Sequence, residues 1–135
     1  MIFYLILLIN IYDGDWKNNL REGKGTLYYK DGDLYIGDYK NDKREGKGIM
    51  YYNSGGRYEG EYKNDKKEGK GIYFFNKSPW KGDRYEGEYK NGKKEGKGIY
   101  YYNDGNREMG DYLEGKQIGK HVTLHANGNI TSKDY

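Results

Sequence analysis

The sequence contains no cysteine, which excludes a disulfide framework and any metal site built on thiolates, and fits a reducing, cytoplasmic compartment. Hydrophobic residues make up only 34% of the 135 residues, and Leu, Val and Ile are scarce after the first eleven. A thick two-layer domain would have too little to bury. The one strongly apolar run, MIFYLILLIN, falls well short of the roughly 20 residues that cross a bilayer. It also lacks the basic flank and small-residue cleavage site of a secretory leader. Residues 1–11 therefore read as an edge strand, or as a truncated or misassigned start. Serine occurs only at Ser54, Ser78 and Ser132, which suggests no Ser-His-Asp arrangement. A net charge of +3 is low for a nucleic-acid binder.

What the chain does have is 18 tyrosines, 22 glycines and 33% charged residues. Low hydrophobicity with high charge would suit a disordered chain, but such chains are poor in aromatics and this one is 17% aromatic. A folded but thin structure satisfies both facts.

The tyrosines and glycines recur with a fixed period. Units open at Tyr12, Tyr35, Tyr58 and Tyr85, with Glu108 in that place in a fifth, and the spacings are 23, 23, 27 and 23. The four extra residues fall within NKSPWKGDR, where Pro79 and Gly82 mark a longer turn. The boundaries are thus 12–34, 35–57, 58–84, 85–107 and 108–130, followed by a tail at 131–135. Within each unit YEGEY-like stretches alternate aromatic and acid about a central glycine, the period of two of a half-buried strand. A second stretch such as GIYYY, Gly98 to Tyr102, is rich in strand formers. KNGKKEGK between them reads as a polar loop, and NDGNR after them as a hairpin turn. The expectation is an all-β, elongated antiparallel meander of ten strands, spanning roughly 48 Å at about 4.8 Å each.

In this reading the glycines are structural. Gly37, Gly60 and Gly87 lie two residues from an aromatic on either side, leaving hollows in which a ring can rest. Gly46, Gly69 and Gly96, with Gly48, Gly71 and Gly98, form the Gly-Lys-Gly tripeptides that precede the second strand.

A unit of the form Y-x-G-x-[YW]-K-N-x-x-x-x-G-x-G-x-x-x-[YF]-x-x-G resembles the MORN (membrane occupation and recognition nexus) repeat, over residues 12 to 130. The resemblance implies a twisted sheet of consecutive hairpins. It also implies a scaffold near membranes or in cytoskeletal or ciliary structures, or an accessory region of proteins such as lipid kinases. Protein binding along the sheet and phosphoinositide binding are the roles it suggests. The fifth unit loses its opening Tyr, its second paired Gly and its second-strand aromatic, as a terminal capping repeat does. No kinase-like or methyltransferase-like stretch accompanies the repeats, so neither an enzymatic role nor a cofactor is carried over.

Gly-Lys-Gly lacks the spacing and following Ser or Thr of a phosphate loop, and a strand follows it. His121 and His125 are four apart but stand on a strand, in the repeat's Gly and aromatic places, which makes them structural substitutions and not metal ligands. Glu59 with Glu61, and Glu86 with Glu88, recur per repeat and read as wet-face partners of lysines. Two candidates remain. Tyr35, Tyr39, Tyr58, Tyr62, Tyr85 and Tyr89 would present a partner-binding face. Lys43, Arg44, Lys66, Lys67, Lys93 and Lys94 would line one edge and attract anionic lipid, tempered by the Glu45, Glu68 or Glu95 that follows each pair. Open sheet edges would also allow end-to-end self-association.

Overall fold

The computed structural model describes residues 9–135, so most of the edge strand expected over residues 1–11 lies outside the described part. Among the described residues eleven strands form one sheet in sequence order, every neighbouring pair antiparallel. They are β1 (Ile11–Lys17), β2 (Leu20–Tyr28), β3 (Leu34–Lys40), β4 (Lys43–Tyr51), β5 (Arg57–Lys63) and β6 (Lys66–Phe74), continuing with β7 (Arg84–Lys90), β8 (Lys93–Tyr101), β9 (Arg107–Leu113), β10 (Lys116–Leu124) and β11 (Ile130–Asp134). The all-β meander is as the sequence implies. The eleventh strand is an addition: the supposed tail folds back on β10 through a turn whose His125 N–H donates to the Asn129 carbonyl at 2.8 Å.

The stretch expected as a polar loop is strand. In KNGKKEGK only Asn91 and Gly92 form the turn, at φ of 50° and 86°, and β8 begins at once with Lys93. Asn41-Asp42 and Asn64-Asp65 make the same tight turn with both residues at positive φ, the backbone that matches strand twist. Polarity misled here, because a strand with one wet face can be charged at every second position.

Each Gly-Lys-Gly now divides into two jobs. Gly69, at φ 68°, is where β5 and β6 slip register, a bulge that a residue with a Cβ tolerates poorly. Gly71 pairs across the ladder with Gly60 and Gly87, part of a continuous lane of nine glycines from Gly14 to Gly110. The ring of Tyr58 lies over this lane, and a Cβ on Gly60 would stand 2.5 Å from its hydroxyl. That hydroxyl donates to the Glu61 carbonyl at 3.1 Å, as Tyr35 does to Asp38. Each such ring, held at both ends, covers the glycine of its own strand and the glycine facing it on the next: Tyr58 lies over Gly60 and Gly71, as Tyr35 lies over Gly37 and Gly48.

The second tyrosine of each unit locks one hairpin to the next. Tyr12 meets Tyr39, Tyr35 meets Tyr62, Tyr58 meets Tyr89 and Tyr85 meets Tyr112, each edge-to-face at 5.1 to 5.2 Å. Such pairs contribute about 0.5–1.5 kcal/mol beyond area burial. The core of this thin protein is a ladder of tyrosine rings on one face of the sheet, and burial pushes their hydroxyl pKa values up.

The last hairpin solves the same problem with other residues. Glu108 replaces the lane-covering tyrosine, and His121 replaces the lane glycine of β10. The His121 ring lies over Gly110, its Nε2 is 2.9 Å from the Asp111 carbonyl, and its Nδ1 is 3.0 Å from the Glu108 carboxylate. Imidazole has taken both the space and the carbonyl of the missing phenol. Tyr102 and Gln117 each donate to Glu108 at 2.6 Å, so the buried carboxylate is satisfied.

Candidate partner-binding face

The six tyrosines expected to meet a partner are the ones that form the core. Tyr35, Tyr58 and Tyr85 are 0% exposed, and Tyr39, Tyr62 and Tyr89 are 3 to 6% exposed. Covering the glycine lane uses up the first three, and the edge-to-face ladder uses up the others. The aromatic surface left over lies toward the longer turns, where second-strand residues pack only partly against the core. Tyr52 stands 5.8 Å from Tyr73, Tyr73 4.7 Å from Phe75, Phe75 5.6 Å from Tyr100, and Tyr100 4.7 Å from Tyr102. All five are half-buried and form one continuous row. Each precedes or opens one of the longer turns, a positional signal present in the sequence.

Strand alternation also splits the basic pairs. Lys43, Lys66 and Lys93 are exposed, while Arg44, Lys67 and Lys94 turn onto the tyrosine face and are half-buried there. The edge row of pairs does not form. A different row does: Lys40 faces Lys43, Lys63 faces Lys66 and Lys90 faces Lys93 across the three central tight turns, all six exposed. Lys-x-x-Lys flanking a two-residue turn is the sequence signal for it, which reading the whole KNGKKEGK stretch as a loop hides.

The glutamates after each pair are structural clamps. Glu22, Glu45 and Glu68 accept the backbone N–H of Asn41, Asn64 and Asn91 in the next tight turn at 2.9 to 3.0 Å. Glu59 and Glu86 pair with Arg57 and Arg84 at 2.8 and 2.7 Å, and Glu61 and Glu88 stand opposite Lys47 and Lys70 in the ladder. His125 is bonded to the Thr131 hydroxyl at 2.8 Å. These titratable groups are tied into the sheet.

The cations on the tyrosine face sit over rings. Arg21 lies 4.9 Å from the Tyr39 centroid, Arg44 5.1 Å from Tyr62, Lys67 4.6 Å from Tyr58 and Lys94 4.2 Å from Tyr85. Burial pulls both lysines down to about 8, with Arg44 and Lys94 adding to the effect on Lys67. The arrangement can hold apolar and charged side chains along one face.

An open sheet built hairpin by hairpin, with a core shared only between neighbours, defines a repeat protein of the scaffold class. The MORN repeat matches residues 12–34, 35–57, 58–78 and 85–107, and the chain belongs to the MORN repeat family. The fifth hairpin lies beyond the matched repeats. No curated protein matches the chain. Among solved structures it is similar to the SAS-4 (dCPAP) TCP domain of Drosophila melanogaster, solved in complex with a proline-rich motif of Ana2 (dSTIL), at 12% identity and a TM-score of 0.44 over 93% of this chain and 90% of that one.

Proposed function

We propose that the protein is a non-catalytic scaffold that binds protein partners along its tyrosine face, in a cytoplasmic, ciliary, cytoskeletal or membrane-proximal assembly. The continuous half-buried row from Tyr52 to Tyr102 carries this reading, because aromatic surface left uncovered by its own fold is what interfaces draw on. The test is affinity purification of the full chain from its native cells. Tyr73→Ser with Tyr100→Ser is expected to lose the co-purifying proteins, whereas Lys40→Glu with Lys63→Glu and Lys90→Glu keeps them. Partners that persist on the tyrosine variant overturn the reading.

A second reading is favoured by the six exposed lysines at the tight-turn edge. Near an anionic bilayer such a row supplies about 1 kcal/mol per residue. Co-sedimentation with phosphoinositide vesicles at physiological salt, abolished by reversing all six charges, would support peripheral membrane binding. End-to-end association would use β11, whose five residues are all exposed. Sedimentation mass that rises with concentration is its signature.

A further inference from the structure

The four cations on the tyrosine face fall into two kinds. Arg21 Nε is 2.7 Å from Asp42 Oδ1, and Arg44 Nε is 3.2 Å from Asp65 Oδ1; in each case the aspartate is the second residue of the next tight turn. The backbone N–H of each arginine donates to the same oxygen, at 3.3 and 2.9 Å. One hairpin further on, glycine holds the aspartate's place: Gly92 faces Lys67, and Gly115 faces Lys94. The backbone geometry is unchanged, since the N–H of Asp42, Asp65, Gly92 and Gly115 donates to the carbonyl of Arg21, Arg44, Lys67 and Lys94 at 3.0, 3.1, 2.9 and 2.9 Å. Only the carboxylate is missing.

Among the described residues no carboxylate lies within 4.0 Å of either lysine ammonium. Aromatic rings surround them instead. Lys67 lies 4.6 to 5.7 Å from four tyrosine rings, and Lys94 lies 4.2 to 5.9 Å from three tyrosines and Phe75. A half-buried ammonium without a counter-ion is costly, and rings offset that cost only in part. Each lysine with its glycine lines an open cleft, of about 400 Å³ for Lys67 and Gly92 and about 520 Å³ for Lys94 and Gly115. Tyr62, whose buried hydroxyl has no partner, lines the first, as do three aspartates engaged elsewhere: Asp65 pairs with Arg44, Asp33 accepts the Asn53 N–H at 2.8 Å and Asp31 accepts the Asp33 N–H at 3.2 Å. The second also holds Lys116 and Trp80 and no acid.

We propose that Lys67 with Gly92, and Lys94 with Gly115, are two vacant carboxylate seats that receive acidic side chains of a partner protein segment. The seats are one hairpin apart, so two strand spacings set the acids about 10 Å from each other. A protein segment fits better than a bilayer, because the ammoniums are recessed among rings while the exposed lysines at the rim would meet a flat surface first. The inference rests on the protein-binding reading of the tyrosine face and names the chemistry of the partner.

The test displays a random-sequence peptide library on phage against the full chain. Gly92→Asp with Gly115→Asp fills both seats from within, in a turn that Asn64-Asp65 already adopts. Selected peptides are expected to be enriched in paired Asp or Glu and to bind this variant at least tenfold more weakly. In the same variant, Nζ resonances of Lys67 and Lys94 should titrate well above their wild-type midpoints, which shows that the seats are filled in a folded protein. Acidic peptides that bind variant and wild type alike overturn the seats. Selection of aromatic or apolar peptides without acids overturns the seats and leaves the protein-binding face standing, and selection of no peptide removes both. Phosphoinositide vesicles that bind wild type and not the variant would overturn the proposal in favour of lipid phosphate.

Discussion

The fourth and fifth hairpins have the same backbone and different ways of filling it. In β7 and β8, Tyr85 lies over Gly87 and Gly98 and donates to the Glu88 carbonyl at 3.5 Å. In β9 and β10 the covering ring comes from the opposite strand, as His121, and the vacated tyrosine position holds Glu108. What the fold requires is therefore one ring per hairpin above the lane, reaching a backbone carbonyl. Which strand supplies it is open, provided the facing position makes room.

The largest test of that comparison is Gly98→Val. Valine is a better strand former than glycine, so propensity alone predicts stabilisation, while a Cβ at Gly98 runs into the Tyr85 ring. A loss of about 3 kcal/mol or more in urea unfolding is expected, concentrated in the central hairpins. Next in size is the double change Glu108→Tyr with His121→Gly, which turns the fifth hairpin into a fourth. Each single change should destabilise, one by crowding two rings and the other by leaving a void over Gly110 and taking the imidazole away from the buried Glu108 carboxylate. The pair should recover most of the loss, with a coupling energy of about 2 kcal/mol. Additive losses would mean that the two positions do not share one job.

Tyr58→Phe keeps the ring over the lane and removes the bond to Glu61, so it should cost about 1 kcal/mol. The smallest effect concerns pH. Lys94 in the fourth hairpin corresponds to Gln117 in the fifth. Burial pulls Lys94 from its ordinary 10.5 to about 8, so the unfolded chain holds more protons between those values and stability rises with pH across the window. Lys94→Gln should flatten that rise by on the order of a few tenths of a kcal/mol, since water screens part of the effect. Above about pH 10 tyrosine ionisation in the unfolded chain works the other way, because burial raises the folded-state tyrosines.

The meander and its period were legible because Tyr-x-Gly-x-Tyr fixes both strand and face. The boundaries of the second strands were not. The unbroken run of charged residues, Asn and Gly in KNGKKEGK concealed that alternate residues point to opposite faces, which also merged two separate cation rows into one. On general grounds tyrosine belongs at a surface, and the glycine lane is the reason the first tyrosine of each unit does not. A lane without side chains draws the nearest ring inward, so Tyr58 is core while Tyr73, its direct partner on the next strand and the same face, remains half exposed. His121 was legible as a substitution from its place in the unit, but its pairing with Glu108 required the bulge that brings the two together.

The glycine lane also limits how this sequence can drift. Every amino-acid change reached by one base from a glycine codon adds a Cβ, and under a tyrosine ring each such change is obstructed at the first step. A lane position can depart from glycine only in company with the ring above it. Glu108 and His121 are such a joint departure, found in the fifth hairpin, beyond the four matched repeats.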